Sequence, residues 1–97
     1  MRINPYKMEF KWDINKAKSN VNKHKISFDE AQTVFEDDFT ETIGDDNHSR
    51  EENRFITIGH SESGRLLVVC HTFEEDIVRI ISARKPTKTE RNNYENG

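Results

Sequence analysis

Residues 54–84, RFITIGHSESGRLLVVCHTFEEDIVRIISAR, hold three apolar runs divided by two polar breaks. The runs are Arg54 to His60, Arg65 to Thr72 and Ile77 to Ala83, rich in Ile, Val, Leu and Phe, and the breaks are SESG and FEED. Short β-branched runs between turn-forming clusters read as strands, and breaks this short join only antiparallel neighbours. A β-meander is therefore expected in the C-terminal half. Upstream, MEFKW alternates, with Met8, Phe10 and Trp12 on one face, so a first strand is expected there. Asp13 stands where an N-cap belongs, and Ile14, Ala17, Val21 and His24 fall on one side of the helix that follows. Lys16, Asn20 and Lys23 form a polar stripe beside them. Ser27 opens a second helix, with Glu30 three residues on as a capping box and Ile26 as a staple; Phe28, Ala31 and Phe35 face its core. A short strand is expected over Phe39 to Ile43, then the polar loop GDDNHSREEN. A last helix from Thr87 to Asn96 follows Pro86. The fold class is α+β: an antiparallel sheet of four to five strands, two N-terminal helices and a short C-terminal helix.

The chain has 97 residues, enough for one domain spanning 1–97. Its apolar fraction, 32%, is lean beside 34% charged, but the apolar residues cluster, which marks a folded chain. Cys70, the sole cysteine, lies in the most apolar run, so no intrachain disulfide forms and a reducing cytoplasm is expected. The longest apolar run, Leu66 to Cys70, is far too short to span a membrane, and the polar start MRINPYKMEF lacks a signal-peptide core. The net charge of −3 conceals a strong segregation. Glu36 to Asn53 carries eight acids against one base, Arg50, whereas residues 1–25 carry seven bases and two acids. Residues 79–91 carry five bases and one acid. Such segregation steers a polyanion to one face, or simply solvates the surface.

A turn centred between Glu74 and Glu75 sets Arg65 opposite Arg84 in the last hairpin. Like charges directly opposed destabilise a strand pair, so an anion is required beside them. A carboxylate of this chain would make the pair structural. A ligand phosphate, matched by the two parallel N–H groups of an arginine fork, would make it functional. By strand parity Arg79 points to the face opposite Arg84, into packing or a salt bridge.

Three segments together carry a family likeness: W-D…K…N…KH-x-I-SF-x-EA early in the chain, R-F-x-x-IG…GR-L-L-V-V in the middle, and R-I-I-S-A-R-x-x-x-x-x-E-x-x-x-Y at the end. Their order and spacing resemble the BrnT toxins of bacterial type II toxin–antitoxin systems, across nearly all of residues 9–96. The resemblance implies a RelE-like fold, a curved antiparallel sheet flanked by helices, and a toxin that blocks translation by cutting RNA, free or on the ribosome. It also implies a BrnA-like antitoxin with a ribbon-helix-helix domain, through which the pair reaches operator DNA and represses its own promoter. Neither a cofactor nor a metal is implied. Two other classes stay open: a ParE-like toxin that binds DNA gyrase and cuts no RNA, and an inactive module that only binds its antitoxin.

Metal-free RNA cleavage by the neighbouring 2′-OH needs a base, an acid and fixed positive charge around the phosphorane. The likeness assigns the charge to Arg65 and Arg84, with Lys85 next along and Lys88 and Arg91 on the exposed face of the last helix. His24, in the family-like Lys23-His24 pair, titrates near neutrality as a class, and equally ends the apolar stripe of the first helix as a packing or capping residue. Tyr94 resembles the C-terminal tyrosine of some RelE-like toxins, or anchors its helix. Arg54 matches a family arginine able to hold the RNA backbone, or pairs with Glu51 or Glu52. Lys16 and Lys23 extend a phosphate track, or only solubilise. Trp12 belongs to the core by its alternation with Met8 and Phe10, and a base-stacking role is the alternative. His71 lies about 20 Å along the strand from Arg65 and so outside the site, and His48 and His60 lie in or beside loops. Lys25 stands where many relatives have a helix-ending glycine.

Overall fold

The structure, a computed structural model, describes residues 7–45 and 53–97. Strand β1 (Glu9–Lys11) leads into helices α1 (Ile14–His24) and α2 (Phe28–Thr33), the latter continued by a 3-10 turn, Val34–Glu36. Strands β2 (Glu41–Gly44), β3 (Arg54–His60), β4 (Leu66–Glu74) and β5 (Ile77–Arg84) follow, and helix α3 (Lys88–Asn96) ends the chain. They form one five-stranded sheet in the order β1-β5-β4-β3-β2. The expected meander is present, but the sheet is mixed, because β1 adds beside β5 in parallel. The intervening helices let the chain enter that edge in the same direction as β5, which a tight turn could not do.

One face of the sheet carries the core. Leu67, Val69, Val78, Ile80 and Ala83 pack against Ile26, Phe28, Ala31, Val34 and Phe35. Met8, Phe10 and Trp12 join this cluster as their alternation predicts, with the Trp12 ring edge-on to Phe28 at 5.9 Å. His71 is fully buried in the same layer, its Nε2 2.7 Å from Thr57 Oγ1 and its ring against Phe35 and Phe73. Burial pushes its titration down to about 4, so it stays neutral in the core.

The helices show which local signals prevail. The Asp13 carboxylate accepts from the amides of Asn15 and Lys16, and Ser27 Oγ accepts from the Glu30 amide, as capping requires. Helix α1 departs from its expected stripe: Ile14 and Val21 are exposed, and Asn20 is buried. The Asn20 amide donates to the carbonyls of Ile26 and Ala83 and accepts from the Ala83 N–H, stitching α1 to β5 where main-chain groups would otherwise lack partners. Lys25 adopts the left-handed conformation, φ 61°, and ends α1 as a glycine would.

The last hairpin differs most from expectation. Glu74 pairs with Ile77 across the two-residue turn Glu75–Asp76, with Glu75 at φ 54°. His71 then pairs with Ile80 but Cys70 pairs with Ser82, leaving Ile81 as an extra residue on β5. Arg84 therefore opposes Val68, not Arg65, which lies outside β4. The bulge also reverses parity. Val78 and Ile80 before it and Ala83 after it all face the core, so Arg79 and Arg84 share the other face, contrary to the simple alternation.

Candidate active site on the open sheet face

The anion required beside each arginine is a carboxylate of the chain, and the two pairs lie on opposite sides of the sheet. Arg65 turns toward the helical layer. Its Nη2 donates to Glu30 Oε1 and its Nε to Glu30 Oε2 at 3.0 Å, while Nη2 also reaches the Lys25 carbonyl at 3.3 Å. Ser61 and Ser63 hydroxyls donate to the same carboxylate at 2.6 Å. Arg65, helped by the two serines, holds Glu30 down at about 2 against desolvation. Arg65 thus ties the α1–α2 junction to the β3–β4 turn. His24, Lys16 and Lys23 belong to this layer, on α1, with both lysines exposed.

Arg84 lies on the other face. It forms a bidentate fork with Glu90 of α3, Nη1 to Oε1 at 2.7 Å and Nη2 to Oε2 at 2.9 Å. Glu90 Oε1 also accepts from the Thr87 amide and closes a capping box, and Arg84 holds its carboxyl at about 2. The bulge brings further cations to this face. Thr72 pairs with Arg54 on one side and with Arg79 on the other, and Arg84 sits further along β5. A depression of about 280 Å³ opens here, lined by Arg54, Val68, Cys70, Ser82 and Arg84, with Asp45 at its side. Lys85 follows Arg84 at the end of β5 and is exposed, and Arg79 is exposed and forms no ion pair among the described residues.

Helix α3 crosses this face and brings a second group of polar side chains together. Tyr94 is one turn beyond Glu90 on the same side of α3, and its hydroxyl donates to Asp37 Oδ2 at 3.3 Å. The His60 amide donates to the same oxygen at 2.7 Å. The His60 imidazole lies with Nδ1 3.6 Å from that oxygen and its ring edge-on to Tyr94 at 5.8 Å. Burial pushes Asp37 up, but the amides of His60 and Phe39 and the Tyr94 hydroxyl outweigh it, so the carboxyl titrates below its usual range. Burial, and then the Asp37 charge, push Tyr94 up. Gly59 permits this approach: a Cβ there would lie 2.7 Å from Thr40 Cγ2 and 3.2 Å from Asp37 Oδ2.

Of the residues expected to act together, Arg84, Arg54 and Tyr94 share the open face or the helix across it, with Lys85 exposed just beyond β5, whereas Arg65, His24, Lys16 and Lys23 do not. His60, set aside in the sequence as lying in or beside a loop, ends β3, and its contact with Asp37 left no trace there because 23 residues separate the two and no periodicity links them. Arg50, His48, Glu51 and Glu52 lie outside the described residues. No group of three or more His, Cys, Asp or Glu is arranged to hold a metal among the described residues.

Comparison with known proteins agrees with this architecture. The family model for the ribonuclease toxin BrnT of type II toxin–antitoxin systems matches residues 12–90. The crystal structure of the Brucella abortus ribonuclease toxin BrnT superposes with a TM-score of 0.65 at 18% identity, covering 84% of this chain and 99% of that one. At that identity the likeness concerns the fold. No curated protein sequence matches the chain.

Proposed function

The chain belongs to the BrnT family, the ribonuclease toxins of type II toxin–antitoxin systems, and from that premise we propose that it cleaves RNA without a metal ion on the open face of its sheet. One observation carries the proposal: the bulge at Ile81 gathers Arg54, Arg79 and Arg84 on the face away from the helical core. Fixed guanidinium groups beside a depression are what a developing phosphorane requires, since they stabilise charge with no reorganisation at the moment of reaction. Arg84 exchanges its Glu90 carboxylate for a non-bridging pair of phosphate oxygens, which offer its fork the same geometry. Arg54 and Lys85 bind the flanking phosphates. The 2′-hydroxyl next to the scissile phosphate attacks phosphorus, the bond to the 5′-oxygen breaks, and a 2′,3′-cyclic phosphate and a 5′-hydroxyl are left. Arg65, fastened to Glu30 in the other layer, holds the fold. The natural partner is a BrnA-like ribbon-helix-helix antitoxin, through which the complex contacts operator DNA and represses its own promoter, and the site of action is the cytoplasm.

The test is cleavage of defined RNA by purified toxin, with and without ribosomes and with chelator present. We expect chelator-resistant cleavage yielding cyclic phosphate ends, reduced about 100- to 1000-fold in Arg84→Ala, the loss typical of one fixed donor. Cleavage abolished by chelator, or equal in Arg84→Ala, would overturn the mechanism. Inhibition of DNA gyrase without RNA cleavage would replace it with the ParE-like reading.

A further inference from the structure

Resting on the ribonuclease reading above, we propose that His60 is the general acid that protonates the departing 5′-oxygen, with Asp37 as the residue that positions it. His60 ends β3 on the same face as Arg84. It pairs with Leu66, two residues from Val68, which pairs with Arg84. Two strand spacings of about 4.8 Å and a two-residue offset at about 3.3 Å per residue separate their Cα atoms by roughly 12 Å. An extended arginine and an imidazole reaching inward span that interval, which α3 covers above the buried Leu66 and Val68; a phosphodiester bound there takes the place of the Glu90 carboxylate on Arg84. Glu90 and Tyr94, one helical turn apart on α3, line the same interval and touch Arg84 and His60 respectively.

The surroundings of His60 set a carboxylate beside the ring and leave Nε2 open. Asp37 Oδ2 takes the backbone amide of His60 at 2.7 Å and faces its Nδ1 at 3.6 Å, so the carboxylate is fixed beside the ring. Glu36 and Glu62 line the same cleft, and Tyr94 closes it from α3. The charged groups about the ring are thus carboxylates. Nε2 has no hydrogen-bond partner among the described residues, and the His60 side chain is 47% exposed, so a substrate can reach it. In the step proposed, the 2′-oxygen bonds to phosphorus as its proton leaves to solvent water. The bond from phosphorus to the 5′-oxygen breaks with its electron pair on oxygen, which takes the Nε2 proton. Solvent then reprotonates the imidazole, and no further reactant is consumed.

A sulfur substitution separates this role from a structural one. An oligoribonucleotide whose scissile 5′-oxygen is replaced by sulfur expels a thiolate, which leaves without a proton. We expect His60→Gln to lose about 100-fold on the oxygen substrate, the usual contribution of a general acid, and to approach wild-type rate on the sulfur substrate, whereas Arg84→Ala is slow on both. The wild-type rate on the oxygen substrate should fall at alkaline pH. His60→Gln should lack that limb, and Asp37→Asn should shift it. Equal impairment of His60→Gln on both substrates, or none on either, would overturn the proposal while leaving the nuclease reading intact. Failure of the wild type to cut either RNA would overturn both.

Discussion

Replacing Arg65 with alanine separates the two readings of that residue most sharply. Arg65 supplies two of the hydrogen bonds that hold Glu30, leaving the Ser61 and Ser63 hydroxyls behind. Lowering a carboxyl from 4.5 to about 2 corresponds at most to roughly 3 kcal/mol of stability, at about 1.4 kcal/mol per pH unit. The Arg65 side chain is 38% exposed and Glu30 only 17%, so solvent screens the pair, and about 1 to 2 kcal/mol is the reasonable share. For a domain of this size that lowers the melting temperature by roughly 5 to 15 °C. The pH dependence has a definite sign. Glu30 is depressed when folded, so its contribution is present above pH 4.5 and is lost as the pH falls toward 2. Thermal melts of wild type and Arg65→Ala from pH 7 to pH 2 should therefore converge in that window, while RNA cleavage at neutral pH stays within a few-fold. An unchanged melting temperature with a 100-fold loss of cleavage would refute the reasoning and restore Arg65 as a phosphate ligand.

Two further substitutions test the frame. Asn20→Ala strips partners from the Ile26 carbonyl and both main-chain groups of Ala83, and should destabilise by about 3 kcal/mol in urea unfolding; a loss under 0.5 kcal/mol would mean that the cluster is satisfied by water. Lys25→Gly relieves a left-handed residue at φ 61° while keeping the carbonyl that Arg65 uses. It should gain about 1 kcal/mol by the same measurement, and a loss would show that the lysine side chain matters more than its backbone.

The parts of the fold visible in the sequence are those set by neighbours in the chain. Asp13, Ser27 and Thr87 cap because the amides they bond lie two or three residues on. The three meander strands follow from dense apolar runs between polar breaks. The bulge left no such trace: Ile80 and Ile81 are equally apolar, and nothing in RIISAR distinguishes a strand of regular alternation from one with an inserted residue. That single residue moved Arg79 to the face of Arg84; the turn, falling at Glu75–Asp76, one position later than expected, shifted the register by two residues and the bulge added one, so that Arg84 meets Val68 and not Arg65. Asn20 was misread because polar spacing implies solvent, whereas its amide meets main-chain groups 63 residues away. Glu90 was in view only as a position of the family-like segment, and its fork to Arg84 depends on how α3 folds back over β5. The open-face candidates were thus partly legible as cations and an aromatic, while their carboxylate partners and the His60 cleft arise from tertiary contact alone.

The margins of the sheet have a bearing on how the molecule behaves when crowded. β1 is three residues long and sets the exposed Glu9 and Lys11 at one border, and β2, at the other, is four residues long and ends at Gly44. Brief, charged borders offer little bare ladder onto which another chain can graft a strand. Freshly synthesised copies are thereby guarded against edgewise polymerisation before any neutralising protein reaches them.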